Sequence, residues 1–317
     1  VDIIGSEIHI RDSISKGIKI NHQSTASSFN FLNNHIFTDL VYTGLWGEGD
    51  YGIYFEVYEG KGTATRIAGN LLHGWWDGMS LGQSGGSNPP FNEPSHVWSV
   101  DHNVIYDTND DAIEADGWHS NLVISDNIIG GTETSVRMGI SLAPGGPGPL
   151  TVENNHIAGY SESPFKFNTE VNNAYTKMVS INNNVVVQSA PTVTNTLWYA
   201  TPPANELADI TIRDNFFLGT GTLFWLDRVT WAGLLMNNNF WYSTKILGDR
   251  GNVGDNINLF IIYNPLAGSN DYYKTFAEFQ VAQGQESTGQ YIVFTAQPLQ
   301  VGTLPTTKVA KWQVTIT

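Results

Sequence analysis

Short runs of alternating apolar and variable residues come round repeatedly in this chain. One phrase, an apolar residue, two variable ones, Asn, one variable and a second apolar residue, recurs eight times. It reads FLNNHI, IAGNLL, VDHNVI, ISDNII, VENNHI, INNNVV, IRDNFF and MNNNFW. Its anchors are Asn34, Asn70, Asn103, Asn127, Asn155, Asn184, Asn215 and Asn239, spaced 36, 33, 24, 28, 29, 31 and 24 residues apart, a mean of about 29. Weaker members are expected at the ends, around Ser13 in IRDSIS and Asn264 in IIYNPL.

A second phrase follows several anchors: GIKI, GIYF, GMSL, AIEA, GISL and PFKF. Its period of two is that of a half-buried strand, and no 3.6-residue stripe supports a helical repeat. Each repeat is therefore expected to hold at least two short strands joined by Asn, Gly and Asp turns. An asparagine recurring once per coil can stack on its neighbours, bond turn backbone and tolerate left-handed geometry. These features predict an all-β, single-stranded, right-handed parallel β-helix of about nine or ten coils, with coils ~4.8 Å apart. Its expected extent is 1–265. Residues 266–317 are expected to form a cap, with a short helix from Tyr273 to its stop at Gly284, then strands in YIVFTA and KVAKWQVTIT.

Composition narrows the function. The chain has 317 residues, 41% of them hydrophobic, which suffices for a large core. Only 14% are charged, against roughly 25% in an ordinary domain. The 30 asparagines and 32 glycines fit stacked turns rather than disorder. A net charge of −15 argues against nucleic acid and anionic membranes as partners, and no apolar run is long enough for membrane insertion. Without cysteine there is no disulfide, thiol nucleophile or Cys-ligated metal. A chain opening on Val1 with no signal-peptide pattern reads as a processed product or part of a longer protein.

The run TNDDAIEADGWHSNLVISDN (108–127), followed by GISLAP and SPFKFN, resembles secreted bacterial β-helix proteins of the pectate-lyase-like superfamily. The likeness covers roughly residues 7–290. It implies the fold, a secreted or cell-surface location and a polysaccharide or oligosaccharide partner. Activities in that superfamily include lyases, polygalacturonases, epimerases and phage tailspikes, and fold does not confer function. The paired Asp110 and Asp111 resemble the paired aspartate of polygalacturonases. The Asn-Thr-Asp, Gly-His-Gly and Arg-Ile-Lys triplets of those enzymes are absent.

Alternation in the second phrase gives an outward row of Lys19, Tyr54, Ser80, Glu114, Ser141 and Lys166. A parallel row holds Asn21, Glu56, Gly82, Asp116, Ala143 and Asn168. Asp110, Asp111, Glu114 and Asp116 then form the densest charge cluster in the chain. Close like charges raise at least one carboxyl pKa, as a general acid requires. Paired carboxylates suit glycosidic cleavage, with Glu114 as acid and Asp111 or Asp116 as base or nucleophile. Lys166 and Arg137 are the neighbouring cations, expected to position substrate. Asp111, Glu114 and Asp116 also offer oxygens for Ca²⁺, although hydrolysis requires no cofactor. Tyr54, Glu56, Trp75, Trp76, Trp118, His119 and Asn168 are candidate substrate contacts, the aromatics by stacking on sugar faces. His73 and His119 are candidate proton carriers. No HxH or HExxH spacing supports a transition-metal site.

Glycoside hydrolysis is placed ahead of a Ca²⁺-assisted polysaccharide lyase, in which Lys or Arg would act as base. The alternative of another class is a non-catalytic glycan-binding, fibre or cell-surface module. End-to-end self-assembly through an uncovered first coil is a further expectation. Insertions at 83–95, 144–149, 169–176 and 200–206 are expected to wall one side of the outward row.

Overall fold

The computed structural model describes residues 2–10, 17–22, 29–38, 51–57, 65–81, 98–115, 121–130, 136–142, 149–158, 160–168, 175–187, 197–200, 206–219, 224–226, 230–232, 234–244, 260–264 and 266–294. Each repeat makes three strands, within the expectation of at least two. The anchor phrase bends in its middle, so that Trp98–Asp101 and Val104–Tyr106 are separate strands, and the second phrase supplies Asp111–Ala115. Like strands stack into three ten-stranded sheets. Successive coils pair parallel: Trp98–Asp101 lies between Thr65–Ala68 and Leu122–Ser125. The architecture is a right-handed parallel β-helix.

The bend at each anchor has a backbone cause. The residue before it adopts the left-handed conformation: Asn33, Gly69, His102, Asp126, Asn154, Asn183, Asp214 and Asn238 have φ from 54° to 67°. Small polar side chains and glycine accept that region most readily. The anchor side chain is thereby sent inward, where it must find hydrogen bonds. It finds them in the next coil. Asn103 donates its backbone N–H and one Nδ2 hydrogen to Asn127 Oδ1, at 3.0 and 2.9 Å, and Nδ2 also donates to Ile67 O at 2.9 Å. The same arrangement runs from Asn34 through Asn215, each handing its amide to the next anchor.

The end members differ from expectation. In the first coil the ladder position is Ser6, whose N–H donates to Asn34 Oδ1, whereas Ser13 lies outside the described residues. At the other end the acceptor is Glu286. Its carboxylate takes the Asn239 N–H at 3.2 Å, the Asn239 Nδ2 hydrogen at 2.6 Å and the Trp241 Nε1 hydrogen at 3.0 Å. Burial pushes the Glu286 carboxyl above its usual range, opposed by the bonds from Asn239 and Trp241. Asn264 instead closes a turn after Phe260–Asn264, accepting from Leu266 and Ala267 N–H.

The core is the inside of the coil, where Val100, Ile105 and Ile113 from the three sheets of one coil are fully buried. Small residues open the second phrase because coils approach closely there: a Cβ on Gly78 would sit 2.5 Å from Ala112 O. Beyond the last parallel coil, Ser269–Tyr273 pairs antiparallel with Phe260–Asn264. The helix Phe276–Gln283 follows, with Thr275 and Glu278 as a reciprocal capping box and Gly284 at φ 62° as its stop. Phe279 stacks on Phe260 at 4.2 Å, which seats the helix against the core. Gln290–Phe294 then rejoins the second sheet. KVAKWQVTIT and most of the four insertions lie outside the described residues. No helix among the described residues is long and apolar enough to cross a membrane.

Candidate functional site

Strand register in the third sheet puts Lys19, Tyr54, Ser80, Glu114, Ser141 and Lys166 in one row, as the alternation predicts, but Ser80, expected to face outward, is buried. Trp198 and Trp225 occupy its next positions. Ile113 and Phe165 beside that row are fully buried, while Glu114 and Lys166 are half-buried. Glu114 is therefore carried on a strand rather than a loop, half-buried, with its Oε2 shielded from solvent.

Three residues ahead of that row is a second column, at the corner where the chain enters the third sheet. Here Asp111 stacks above Asp77 of the preceding coil, and its N–H donates to Asp77 Oδ1 at 2.8 Å. The corner is held by backbone bonds, with Asp110 N donating to Trp76 O at 2.8 Å and Asn109 N to Trp75 O at 2.9 Å. Asp77 and Asp111 are buried, with 4% and 2% of their surfaces exposed, and Asp110 is half-buried. Oxygens of Asp77, Asp110 and Asp111 all lie within 4.8 Å of one another. Burial pushes the Asp77 carboxyl well above the usual carboxylate range. The charges of Glu114, Asp111 and Asp110 push it further, against the bond from Asp111 N–H. Lys166, two coils on, reaches back to place Nζ 3.4 Å from Asp111 Oδ2.

The acids expected from sequence are thus partly assembled. Asp110, Asp111 and Glu114 meet, Lys166 joins them, and Asp116, Trp118 and His119 lie outside the described residues. The backbone of Tyr54 and Glu56 lies on Tyr51–Val57 and that of Asn168 on Tyr160–Asn168. Arg137 lies on Val136–Leu142, at the register shift between Val136 and Met138. The side chains of these four are outside the described set. Among the described residues, Asp77, Asp110 and Asp111 have oxygens close enough to share a cation, whereas Asp116 of the expected set Asp111, Glu114 and Asp116 lies outside them.

Two expectations are corrected. Trp75 is fully buried and donates Nε1–H to Ile36 O at 3.1 Å, and Trp76 is 6% exposed. Both are packing residues whose backbone carbonyls hold the acid corner, not open indole platforms. His73 belongs to a ring stack on the second sheet, between Phe37 at 5.1 Å and Tyr106 at 4.7 Å, with its Nε2 3.0 Å from His35 Nε2. That placement is structural. The residue missed by sequence reasoning is Asp77. Aligning DGMSL with DAIEA, one position earlier than the phrases begin, places Asp77 under Asp111.

No protein-family model matches the chain, and no curated protein matches it in sequence. Among solved structures it is similar to the tailspike protein of E. coli bacteriophage HK620, in complex with a pentasaccharide. A double mutant of that protein, with Asp and Glu each replaced by Ala, matches at 9% identity and a TM-score of 0.50. A Glu-to-Gln mutant matches at 9% identity and a TM-score of 0.49. In both, 69% of this chain and 39% of the tailspike chain are covered, so the chain spans well under half the tailspike's length. At such identity the likeness shows the fold.

Proposed function

We propose that this β-helix is a carbohydrate-active protein that binds an extended glycan along the outward row of the third sheet and cleaves glycosidic bonds there. The observation that carries the reading is the convergence of Asp77, Asp110, Asp111 and Glu114 at one corner of a chain otherwise poor in charge. The pentasaccharide held by the double-mutant tailspike, a protein of like fold, supports a sugar ligand. Glu114 is the general acid, projecting from the middle of a strand. Asp110 takes the base or nucleophile role in preference to Asp111, which is buried and ion-paired to Lys166. Such a protein acts outside the cell or at its surface, where polymeric glycans are met.

The test is a screen of neutral and uronic polysaccharides, reading new reducing ends together with the absorbance of unsaturated products. Reducing ends alone, lost in Glu114→Gln, are the expected result. Unsaturated products would replace hydrolysis by elimination. Glycan retention without cleavage would leave a binding module, and neither retention nor cleavage would remove the proposal.

A further inference from the structure

The acid corner has an electrostatic difficulty that the fold must resolve. Asp77 and Asp111 are stacked and buried, Asp110 adjoins them, and carboxylates confined to such a space repel strongly unless a cation or proton intervenes. A divalent ion is the usual remedy for three aspartate oxygens this close. Lys166 offers another. Its side chain starts two coils away and lies back across the coil of Ser141, so that only 16% of it remains exposed, to reach Asp111 Oδ2 at 3.4 Å.

A lysine free to hydrate would not lie down along a sheet, since ordering its side chain carries a large entropic cost. The geometry points to Lys166 as the tethered counter-ion of the Asp77–Asp110–Asp111 corner, an ammonium on a fixed strand serving in place of a divalent cation. The strand fixes its attachment between Ser141 and Trp198 in the outward row, and the length of the lysine stem lets the charge span the coil spacing. In this arrangement the corner requires no metal to fold. Removing the ammonium while keeping the aspartates turns the corner into a divalent-cation site. This inference concerns the acids used above, but it rests on the ion pair and not on the proposed activity.

The experiment compares the intact chain with Lys166→Gln and Lys166→Arg by thermal unfolding, with and without millimolar CaCl₂, and by calorimetric titration with Ca²⁺. The wild type and Lys166→Arg are expected to take up no Ca²⁺ and to keep the same Tm. Lys166→Gln is expected to lose about 5 °C, as breaking a buried pair in a domain this size implies. It should regain most of that loss with Ca²⁺ while binding the ion with a stoichiometry of about one. Calcium binding by the wild type overturns the inference, since the site would then be a metal site with Lys166 in place. A Lys166→Gln chain indifferent to Ca²⁺, or one that fails to fold even with Ca²⁺ present, overturns it equally. None of these readouts involves glycan cleavage, so failure here and failure of the proposed function are told apart.

Discussion

Two columns of side chains run along this solenoid, one of amides and one containing stacked carboxylates, and they behave oppositely in similar geometry. At the corner between the first and second sheets, each Asn carries both donors and an acceptor, so Asn103 can satisfy Asn127 and be satisfied by Asn70 without outside help. At the corner entering the third sheet, Asp111 stacks over Asp77 in the same coil-on-coil manner, but ionised carboxylates only accept. The amide column closes on itself. The carboxylate column needs a proton, an ammonium or a ligand, and for that reason it is where chemistry is expected. Repetition alone does not distinguish structure from function; what distinguishes them is whether the repeated groups complete one another.

The sharpest way to break the contrast is to place the carboxylate problem inside the amide column. Asn127 is fully buried, its Nδ2 donating to Asn155 Oδ1 and Val100 O. Asn127→Asp turns those bonds into oxygen–oxygen contacts and should destabilise the fold by about 3–5 kcal/mol in denaturant titration. Next is the end of the column. Glu286→Ala strips the acceptor from Asn239 N–H, Asn239 Nδ2 and Trp241 Nε1, and should lose about 2–4 kcal/mol by the same measurement. Glu286→Gln, which keeps one acceptor oxygen, should lose less.

Asp77→Asn reverses the exchange, importing an amide into the carboxylate column. The folded pKa of Asp77 is raised, chiefly by burial, so the folded state holds a proton longer than the unfolded one. Its contribution is fully present below the unfolded carboxyl pKa and is lost as pH rises through the raised folded pKa, at up to about 1.4 kcal/mol per pH unit. The wild type should therefore lose stability across that window relative to Asp77→Asn, as Tm measured in a pH series will show. An upward slope for the wild type over the same range would contradict the assigned cause. The smallest effect concerns the turn before each anchor. Asn154 is exposed at φ 57°, so Asn154→Ala should lose about 1 kcal/mol and Asn154→Gly almost nothing, again by denaturant titration.

Much of this contrast is legible in the sequence. The ladder was readable because its chemistry repeats at one position in eight coils, and the outward row because GMSL, AIEA and PFKF can be laid over one another. The second-sheet strands were not, because a strand such as Val104–Tyr106 has three residues and a single inward side chain, too few to show a period. Asp77 is not legible in the acid cluster of a single coil, because stacking brings residues 34 apart into contact. Trp75 and Trp76 were misplaced because residue type does not say which way an indole faces; Trp75 Nε1 found its acceptor inside. Both end members of the ladder were misassigned for one reason: Ser6 and Glu286 replace the asparagine the pattern looks for.

The Glu286 carboxylate also bears on how such a chain can change length over generations. Asn127 and Asn155 are joined by the same bonds as Asn155 and Asn184, so a duplicated segment of 28 residues entering between them would meet an identical partner above and below. At Glu286 the sequence of donors stops on a group with nothing left to hand onward. A coil appended there would present its own anchor oxygen to a carboxylate that accepts from Asn239 and Trp241 and has no hydrogen to donate. Growth by internal duplication leaves every junction intact, whereas growth at that terminus must first rewrite the final letter.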